Sequence, residues 1–201
     1  MPKKGGKATR AKSATRKKTK NSSKKRGRTT SPIPEGYVAV TPYLTVNGAA
    51  QAIDFYKKAF GAKELSRSPL PDGKIMNASL DFNGSVVMLA DEFPDSSSRS
   101  PSSLGSTTVT LHIYSKDVDK LWQEALAAGA RIAMPLDNQF WGERYGQLED
   151  PFGHRWSMSM RIEMTPEEME SKRQAAMAMF AQGEHPGHQG SKKEQPPIGV
   201  Q

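Results

Sequence analysis

The most chemically varied stretch of the chain is residues 139–146, which read Gln-Phe-Trp-Gly-Glu-Arg-Tyr-Gly. Trp141 and Tyr145 supply flat apolar walls, and Arg144 supplies a positive charge beside them. Such a mixture suits a planar or anionic small molecule in a partly apolar pocket. The alternative is a core plug, with Arg144 paired to Glu143 at the surface. We predict that Trp141 and Tyr145 line a pocket.

His112 is the leading candidate for acid–base chemistry, because an imidazole can exchange a proton near neutral pH. It lies on the polar face of an alternating segment, together with Thr110 and Tyr114. A histidine that is simply hydrogen-bonded to these neighbours or to an adjacent strand is an equally good interpretation. Glu149 is the second candidate catalytic residue. Gln147 is a weaker pocket candidate, and the predicted ligand-binding residues are Tyr43, Asn77, His112, Trp141, Arg144 and Tyr145.

The elements that must position these side chains follow from a repeated turn. An Asn-Gly pair at 83–84 and a Phe-Gly pair at 152–153 each separate two strand-like runs, and glycine is the residue that takes a positive φ without steric cost. Similar helices and opening strands precede both turns. The sequence therefore predicts two βαβββ units, at about 38–91 and 107–160.

Finer features of the two units are also predicted from the pattern. Gly61 and Gly129 follow the two apolar helical stripes and are expected to end those helices. Asn47 is expected to cap the first helix. Met76 and Val109 are each assigned to the apolar face of a strand. With both helices on one side of the sheets, we predict an α+β fold, a half-open mixed-sheet barrel whose inner face receives a ligand.

The chain also divides by composition into segments of different character. Residues 1–36 carry 13 Lys and Arg against one acidic residue, which leaves 16 basic and 20 acidic residues from the totals of 29 and 21. We predict a disordered tail over 1–36, a folded domain over 37–163, a helix over 164–182 that starts with a capping box, and a disordered tail over 183–201. Residues 91–106 are rich in Ser and Pro and are predicted to form a mobile connector or a lid.

The basic tail admits two interpretations. Its lysine pairs, small residues and threonines resemble the lysine-rich tails of histone-like proteins, which implies non-specific nucleic-acid contact through residues 3–28. The physical gain would be the release of counterions from phosphate. The alternative is an extension that only improves solubility. No aromatic residue interrupts the charges, so base stacking is not predicted.

Other classes of protein are excluded by composition. The chain has no cysteine, which excludes disulfides, zinc–thiolate sites and thiol nucleophiles. No run approaches the roughly 18 apolar residues that a membrane span needs, and the N-terminus lacks the apolar core of a secretory signal. The sequence predicts a cytoplasmic protein without a membrane partner.

Several motifs together resemble the vicinal oxygen chelate superfamily, which contains glyoxalase I, bleomycin-resistance proteins and extradiol dioxygenases. The most specific is Asp-Pro-Phe-Gly-His-Arg-Trp at 150–156. Within the superfamily the chain is most similar to the PhnB-like branch, over about residues 37–163. The resemblance implies a homodimer that completes its cavity across two chains. The motifs lie at residues 41–44, 52–62, 71–76, 86–92, 128–130, 139–146 and 150–156.

The same resemblance bears on metal binding. Metal-using members place four ligands, His, Gln or Glu, on the opening and closing strands of the two units. In this sequence those positions hold Thr41, Met88, Thr110 and Ser157, which are not a competent ligand set for Zn²⁺, Ni²⁺ or Fe²⁺. We therefore expect no metal and no other cofactor. A two-residue shift of the alignment would bring His112 to a ligand position and keeps a divalent metal as an alternative.

Three functions of different classes follow from the sequence. The first, which we favour, is metal-free binding of a small molecule in an aromatic-lined cavity. The second is a lyase, isomerase or dioxygenase with a rearranged site, which would need His112 or Glu149 to coordinate a metal or to transfer protons. The third is a nucleic-acid-associated protein that uses its basic tail.

Overall fold

The computed structural model of the protein describes residues 31–34 and 36–183. The predicted disordered segments, 1–36 and 183–201, lie almost wholly outside the described residues. Among the residues that are described, no helix is long and apolar enough to cross a membrane.

The described chain forms eight strands and four helices, arranged as two βαβββ units with α2 between them. The predicted α+β fold is confirmed, with two open four-stranded sheets in the orders β1-β4-β3-β2 and β5-β8-β7-β6. The elements are β1 (Tyr43–Val46), α1 (Ala49–Phe60), β2 (Lys63–Pro69), β3 (Ile75–Phe82), β4 (Ser85–Asp91), α2 (Pro101–Leu104), β5 (Thr110–Tyr114), α3 (Val118–Ala128), β6 (Arg131–Asn138), β7 (Glu143–Glu149), β8 (Arg155–Arg161) and α4 (Pro166–Ala181).

The two sheets are built in the same way. The opening strand of each unit pairs parallel to the closing strand, β1 with β4 and β5 with β8, and the other pairs are antiparallel. Each sheet has one buried face, because alternate side chains of a strand point to opposite sides. In the second sheet, for example, Leu148, Trp156 and Met158 are buried in the core. The opposite face of each sheet does not pack in the core and is the face on which a ligand site can form.

The buried carboxylate of Asp150 joins the two units. Its Oδ1 accepts hydrogen bonds from the backbone N–H groups of Phe152 and His154, both at 2.9 Å. Its Oδ2 accepts from the Tyr56 hydroxyl of α1 at 2.8 Å and from Trp156 Nε1 at 2.9 Å. Burial and the neighbouring Asp150 charge raise the pKa of Tyr56 well above its ordinary value. One side chain thus fixes the 150–154 turn, the last strand and the first helix.

The N-terminus of α1 is capped differently from the prediction. Its N-cap residue is Gly48, with no side-chain hydrogen bond, so the prediction that Asn47 caps the helix is wrong. Instead, Asp91 Oδ1 at the end of β4 accepts from the backbone N–H groups of Gly48 and Ala49 at 3.0 and 2.9 Å. Its Oδ2 accepts from Ile75 N at 2.7 Å. A carboxylate at the positive end of a helix is favourable, and this one also anchors β3.

The predictions that Met76 and Val109 lie on the apolar faces of their strands are wrong. Met76 is 54% exposed and Ile75 is buried in its place, because the pairing of β2 with β3 shifts register between Ser68 and Pro69. Val109 is 61% exposed, because it precedes β5 and has no place in the sheet.

The connector between the units contains more structure than the sequence indicates. Ser100 caps the short helix α2 and is fully buried. Glu92 accepts from the Ser100 hydroxyl at 2.6 Å and from the Ser103 hydroxyl at 2.7 Å, and it pairs with Arg99. The hydrogen bonds from Ser100 and Ser103 lower the pKa of Glu92 to about 2.

Replacing Asp150 with Asn tests whether this carboxylate joins the units. The Asn side chain has the same shape but places an NH2 group against existing donors, and buried donors without an acceptor are costly. We expect a loss of about 3 kcal/mol in the free energy of unfolding, measured by urea denaturation at pH 7. Asp95→Asn, an exposed carboxylate of the connector, is the control and should change stability by less than about 0.5 kcal/mol. Equal midpoints for the two variants would contradict the assignment.

Candidate functional site

The open face of the second sheet carries most of the predicted site residues. Strand register aligns His112 with Ser157 and then with Gln147 across β5, β8 and β7. The adjacent row aligns Tyr114 with Ser159 and then with Tyr145. Polar and aromatic side chains are therefore concentrated on the face opposite the core.

His112 is held by the strand beside it. Its Nδ1 lies 2.7 Å from Ser157 Oγ, and its Nε2 lies 3.1 Å from Ser159 Oγ. The ring also stacks on Tyr145, with centroids 6.0 Å apart, and meets the edge of Tyr114 at 4.5 Å. Of the two interpretations made from the sequence, this geometry matches a histidine hydrogen-bonded to a neighbouring strand. Burial lowers the pKa of His112, and the charge of Glu143 opposes that shift.

A cleft of about 720 Å³ opens beside this row, between the sheet and α4. Tyr145 and Gln147 form its floor, and the β6–β7 hairpin, which includes Trp141, forms one end. The ring centroids of Trp141 and Tyr145 are 5.6 Å apart, in an edge-to-face arrangement. Gln147 Nε2 donates to the Tyr145 hydroxyl at 2.7 Å. The remaining lining residues are Met134, Pro135, Asp137, Asn138, Gln139, Phe140, Lys172, Ala175, Ala176, Met179 and Phe180.

Helix α4 forms the second wall of the cleft. It begins with the predicted capping box, in which the Thr165 hydroxyl accepts from Glu168 N and the Glu168 carboxylate accepts from Thr165 N. No residue of α4 is buried. Its contribution to the cleft includes the apolar side chains of Met179 and Phe180 and the cation of Lys172. These three residues are not among the predicted site residues, because the capping box predicts where the helix begins but not which side chains line a cleft.

Arg144 lies on the other side of the second sheet. Its guanidinium donates to both carboxylate oxygens of Asp119 on α3, at 2.7 to 3.0 Å, and to Asn138 Oδ1 at 3.2 Å. The alternation along β7 separates Arg144 from Tyr145. The structure therefore does not bring the predicted cation to the aromatic side chains, and Lys172 is the basic residue that lines the cleft.

The other predicted site residues are spread over both sheets. Glu149 is on the same face as Gln147, but its carboxylate pairs with Arg131 at the sheet edge. Tyr43 and Asn77 belong to the first sheet, on β1 and β3, and do not line the cleft. The structure thus groups Trp141, Tyr145 and Gln147, with His112 stacked behind them.

The positions that hold metal ligands elsewhere in the resembled family lack suitable donors here. The register pairs Met88 with Tyr43 and Ser157 with His112, while Thr110 faces Arg155, and the Thr41 hydroxyl donates to Val38 O at 3.0 Å. Hydroxyl and thioether groups with a single imidazole do not fit Zn²⁺, Ni²⁺ or Fe²⁺. Within residues 31–34 and 36–183, no three His, Asp or Glu side chains come together as a metal site.

The environment of His112 predicts a measurable titration. We expect the pKa of His112 to lie below that of an unfolded histidine, and Glu143→Gln to lower it further, because the Glu143 charge favours the imidazolium. Since the folded-state pKa is the lower one, the contribution of His112 to stability is present above about pH 6.5 and is lost as the pH falls through the folded-state pKa. Imidazole NMR shifts measure the titration, with His112→Ala for assignment. A pKa raised above the unfolded value would contradict this description.

Comparisons with known proteins place the fold in a family. Residues 36–158 match the Glyoxalase/Bleomycin resistance protein/Dioxygenase superfamily. A Mycobacterium tuberculosis protein, described as uncharacterized, is 47% identical over 150 residues, covering 73% of this chain and 85% of that protein. Protein YjdN of Escherichia coli is 26% identical over 142 residues, covering 60% of this chain and 94% of that protein.

Solved structures agree with this assignment. The crystal structure of TioX from Micromonospora sp. ML1 is 30% identical, with a TM-score of 0.51, and the match covers 61% of this chain and 98% of TioX. The family match over residues 36–158 begins before β1 and ends within β8, and so takes in both βαβββ units up to the last strand. The chain belongs to the glyoxalase/bleomycin resistance protein/dioxygenase superfamily.

Proposed function

We propose that the protein binds a small organic molecule in the cleft between the second sheet and α4, without the metal site that many members of the fold use. The observation that carries the proposal is the cleft itself. Its volume of about 720 Å³ falls within the roughly 300–1,000 Å³ of small-molecule sites. Nine of its fourteen lining residues are apolar or aromatic, and the other five are Asp137, Asn138, Gln139, Gln147 and Lys172.

The chemistry of the walls favours a flat ligand. Trp141 and Tyr145 present rings at a fixed edge-to-face angle, and aromatic rings of a ligand can pack in offset or edge-to-face geometry against them. The Tyr145 hydroxyl accepts a hydrogen bond from Gln147, so its own proton can be donated to a ligand acceptor. Lys172 adds a positive charge to the wall that α4 forms, and Asp137 adds a negative charge on β6. An anionic group of the ligand is therefore expected on the Lys172 side.

Binding has better support than catalysis. Both ring nitrogens of His112 are engaged by serine hydroxyls, and Glu149 is paired with Arg131. Neither side chain lines the cleft. The donor groups at the family metal positions do not fit a catalytic metal either. Neither of the two candidate catalytic residues is therefore placed to carry the lyase, isomerase or dioxygenase alternative. The finer assignment to the PhnB-like branch stays a prediction.

We also propose a homodimer. Large aromatic side chains remain exposed on the opening strands, Tyr43 at 55% on β1 and Tyr114 at 67% on β5. Burial of such rings against a second copy would be favourable. Light scattering coupled to gel filtration should give twice the chain mass. A monomer at micromolar concentration would contradict this part of the proposal.

The anionic fluorophore 8-anilinonaphthalene-1-sulfonate tests the cleft directly, because it is flat, apolar and charged. We expect one site per chain in the full-length protein and about tenfold weaker binding in Trp141→Ala, as is typical for the loss of an aromatic anchor. Lys172→Ala should weaken binding of this anion but not of the neutral N-phenyl-1-naphthylamine.

Leu104→Ala is the matched control, since Leu104 is an exposed apolar residue on α2, outside the cleft. It should bind both fluorophores as the unmodified protein does. Equal affinities for Trp141→Ala and the unmodified protein would place the fluorophore elsewhere and refute the proposed site.

A further inference from the structure

The positive charge of the chain is concentrated in one short segment. Residues 3–28 hold 13 Lys and Arg in 26 positions, with no Asp or Glu among them. The other 13 positions are Gly, Ala, Ser, Thr or Asn. The segment therefore combines a charge on every second residue, on average, with no side chain that could insert into an apolar environment.

The basic residues of the folded domain are used differently. Outside residues 1–36 the chain has 16 basic and 20 acidic residues, and many of these cations face carboxylates of the same domain. The Arg144 guanidinium, for example, donates from all three of its nitrogens to Asp119 or Asn138. The ion pairs of the described residues are Lys57–Glu64, Arg67–Glu64, Arg99–Glu92, Lys120–Glu124, Arg131–Glu149, Arg144–Asp119 and Arg173–Glu170. Seven cations of the described domain are therefore paired with its own carboxylates, whereas residues 3–28 have no acidic residue among them.

The composition of residues 3–28 favours one class of partner over two others. Stable attachment to a membrane surface needs an apolar or lipid anchor in addition to basic charge, and residues 3–28 contain no aromatic or large aliphatic residue. Reading of single-stranded bases needs aromatic rings for stacking, which are absent from this segment as well. Binding to the phosphate backbone of nucleic acid requires neither an apolar anchor nor aromatic rings, because it is driven by the release of condensed counterions.

We propose that residues 3–28 bind the phosphate backbone of nucleic acid without base specificity and so hold the ligand-binding domain along it. This function is separate from the cleft. Outside residues 1–36 the chain has more acidic than basic residues, so the domain contributes little to the contact and affinity follows the number of charges in the segment. Since each engaged phosphate contributes about −0.9 to the slope of log K against log salt concentration, we expect a slope between about −6 and −12. At physiological salt the dissociation constant should be about 1–100 µM.

The test uses the full chain and fluorescence anisotropy with two 30-base-pair DNA duplexes of unrelated sequence. We expect equal affinities for the duplexes and the steep salt slope above. Replacing Lys3, Lys4 and Lys7 together with Gln should reduce the magnitude of the slope by about 2.7. The matched control replaces three exposed lysines of the domain, Lys58, Lys63 and Lys116, with Gln and should leave the slope unchanged.

Replacing all 13 basic residues of the segment with Gln should abolish binding, and replacing its lysines with Arg should preserve it. The Gln variant should still bind 8-anilinonaphthalene-1-sulfonate in the cleft, which shows that the domain is folded and separates this proposal from the first. Retained DNA binding by the Gln variant would overturn the inference, as would a slope near zero. Tighter binding to phosphatidylserine vesicles than to duplex at equal phosphate concentration would also overturn it and reassign the segment to membrane surfaces.

Discussion

The architecture depends on one buried carboxylate. Asp150 accepts four hydrogen bonds, from the backbone of its own turn, from Trp156 on the last strand and from Tyr56 on the first helix. Because β7 precedes this turn and β8 follows it, the position of Asp150 sets the position of both strands. These strands carry Tyr145 and Gln147 on the floor of the cleft and the serines that hold His112. A buried charge is tolerated only when it is fully hydrogen-bonded, so the geometry of the site is determined by the same contact that unites the units.

Each sheet has one face packed in the core and one open face, and a ligand site can form only on the open face. The core lies on the side of the sheets that faces the helices. Packing there is so close that a Cβ on Gly146 of β7 would lie only 2.7 Å from Trp122 Cζ3 of α3. The open side of the second sheet is left with aromatic, hydroxyl and amide groups, and α4 covers part of it without burying any of its own residues. A bound molecule in the cleft would add apolar contacts to the side chains of α4 that line it.

The fold was predictable from the sequence because its signals are local. The glycine turns, the alternation in the strands and the apolar stripes of α1 and α3 each specify one element, and the repeat specifies their order. The failures involve distant partners. Asp91, 43 residues from Gly48, takes the capping role predicted for Asn47. Arg144 lies on the opposite face of β7 from Tyr145 because strand residues alternate, and its partner there is Asp119, 25 residues away. Trp141 and Tyr145 could be chosen from composition alone, whereas Lys172, Met179 and Phe180 depend on how α4 packs. The apolar residues of α4 do not by themselves indicate which part of the second sheet the helix faces.

The central claim is that this member of the superfamily binds an organic molecule and holds no resident metal. Native mass spectrometry of the full-length protein, purified without chelator and without metal-affinity resin, tests it most directly. The account predicts the mass of the chain or its dimer without a divalent ion, and one added mass of an organic ligand per chain when a fitting compound is supplied. A stoichiometric divalent ion on each chain would contradict the claim and would place metal-dependent chemistry first.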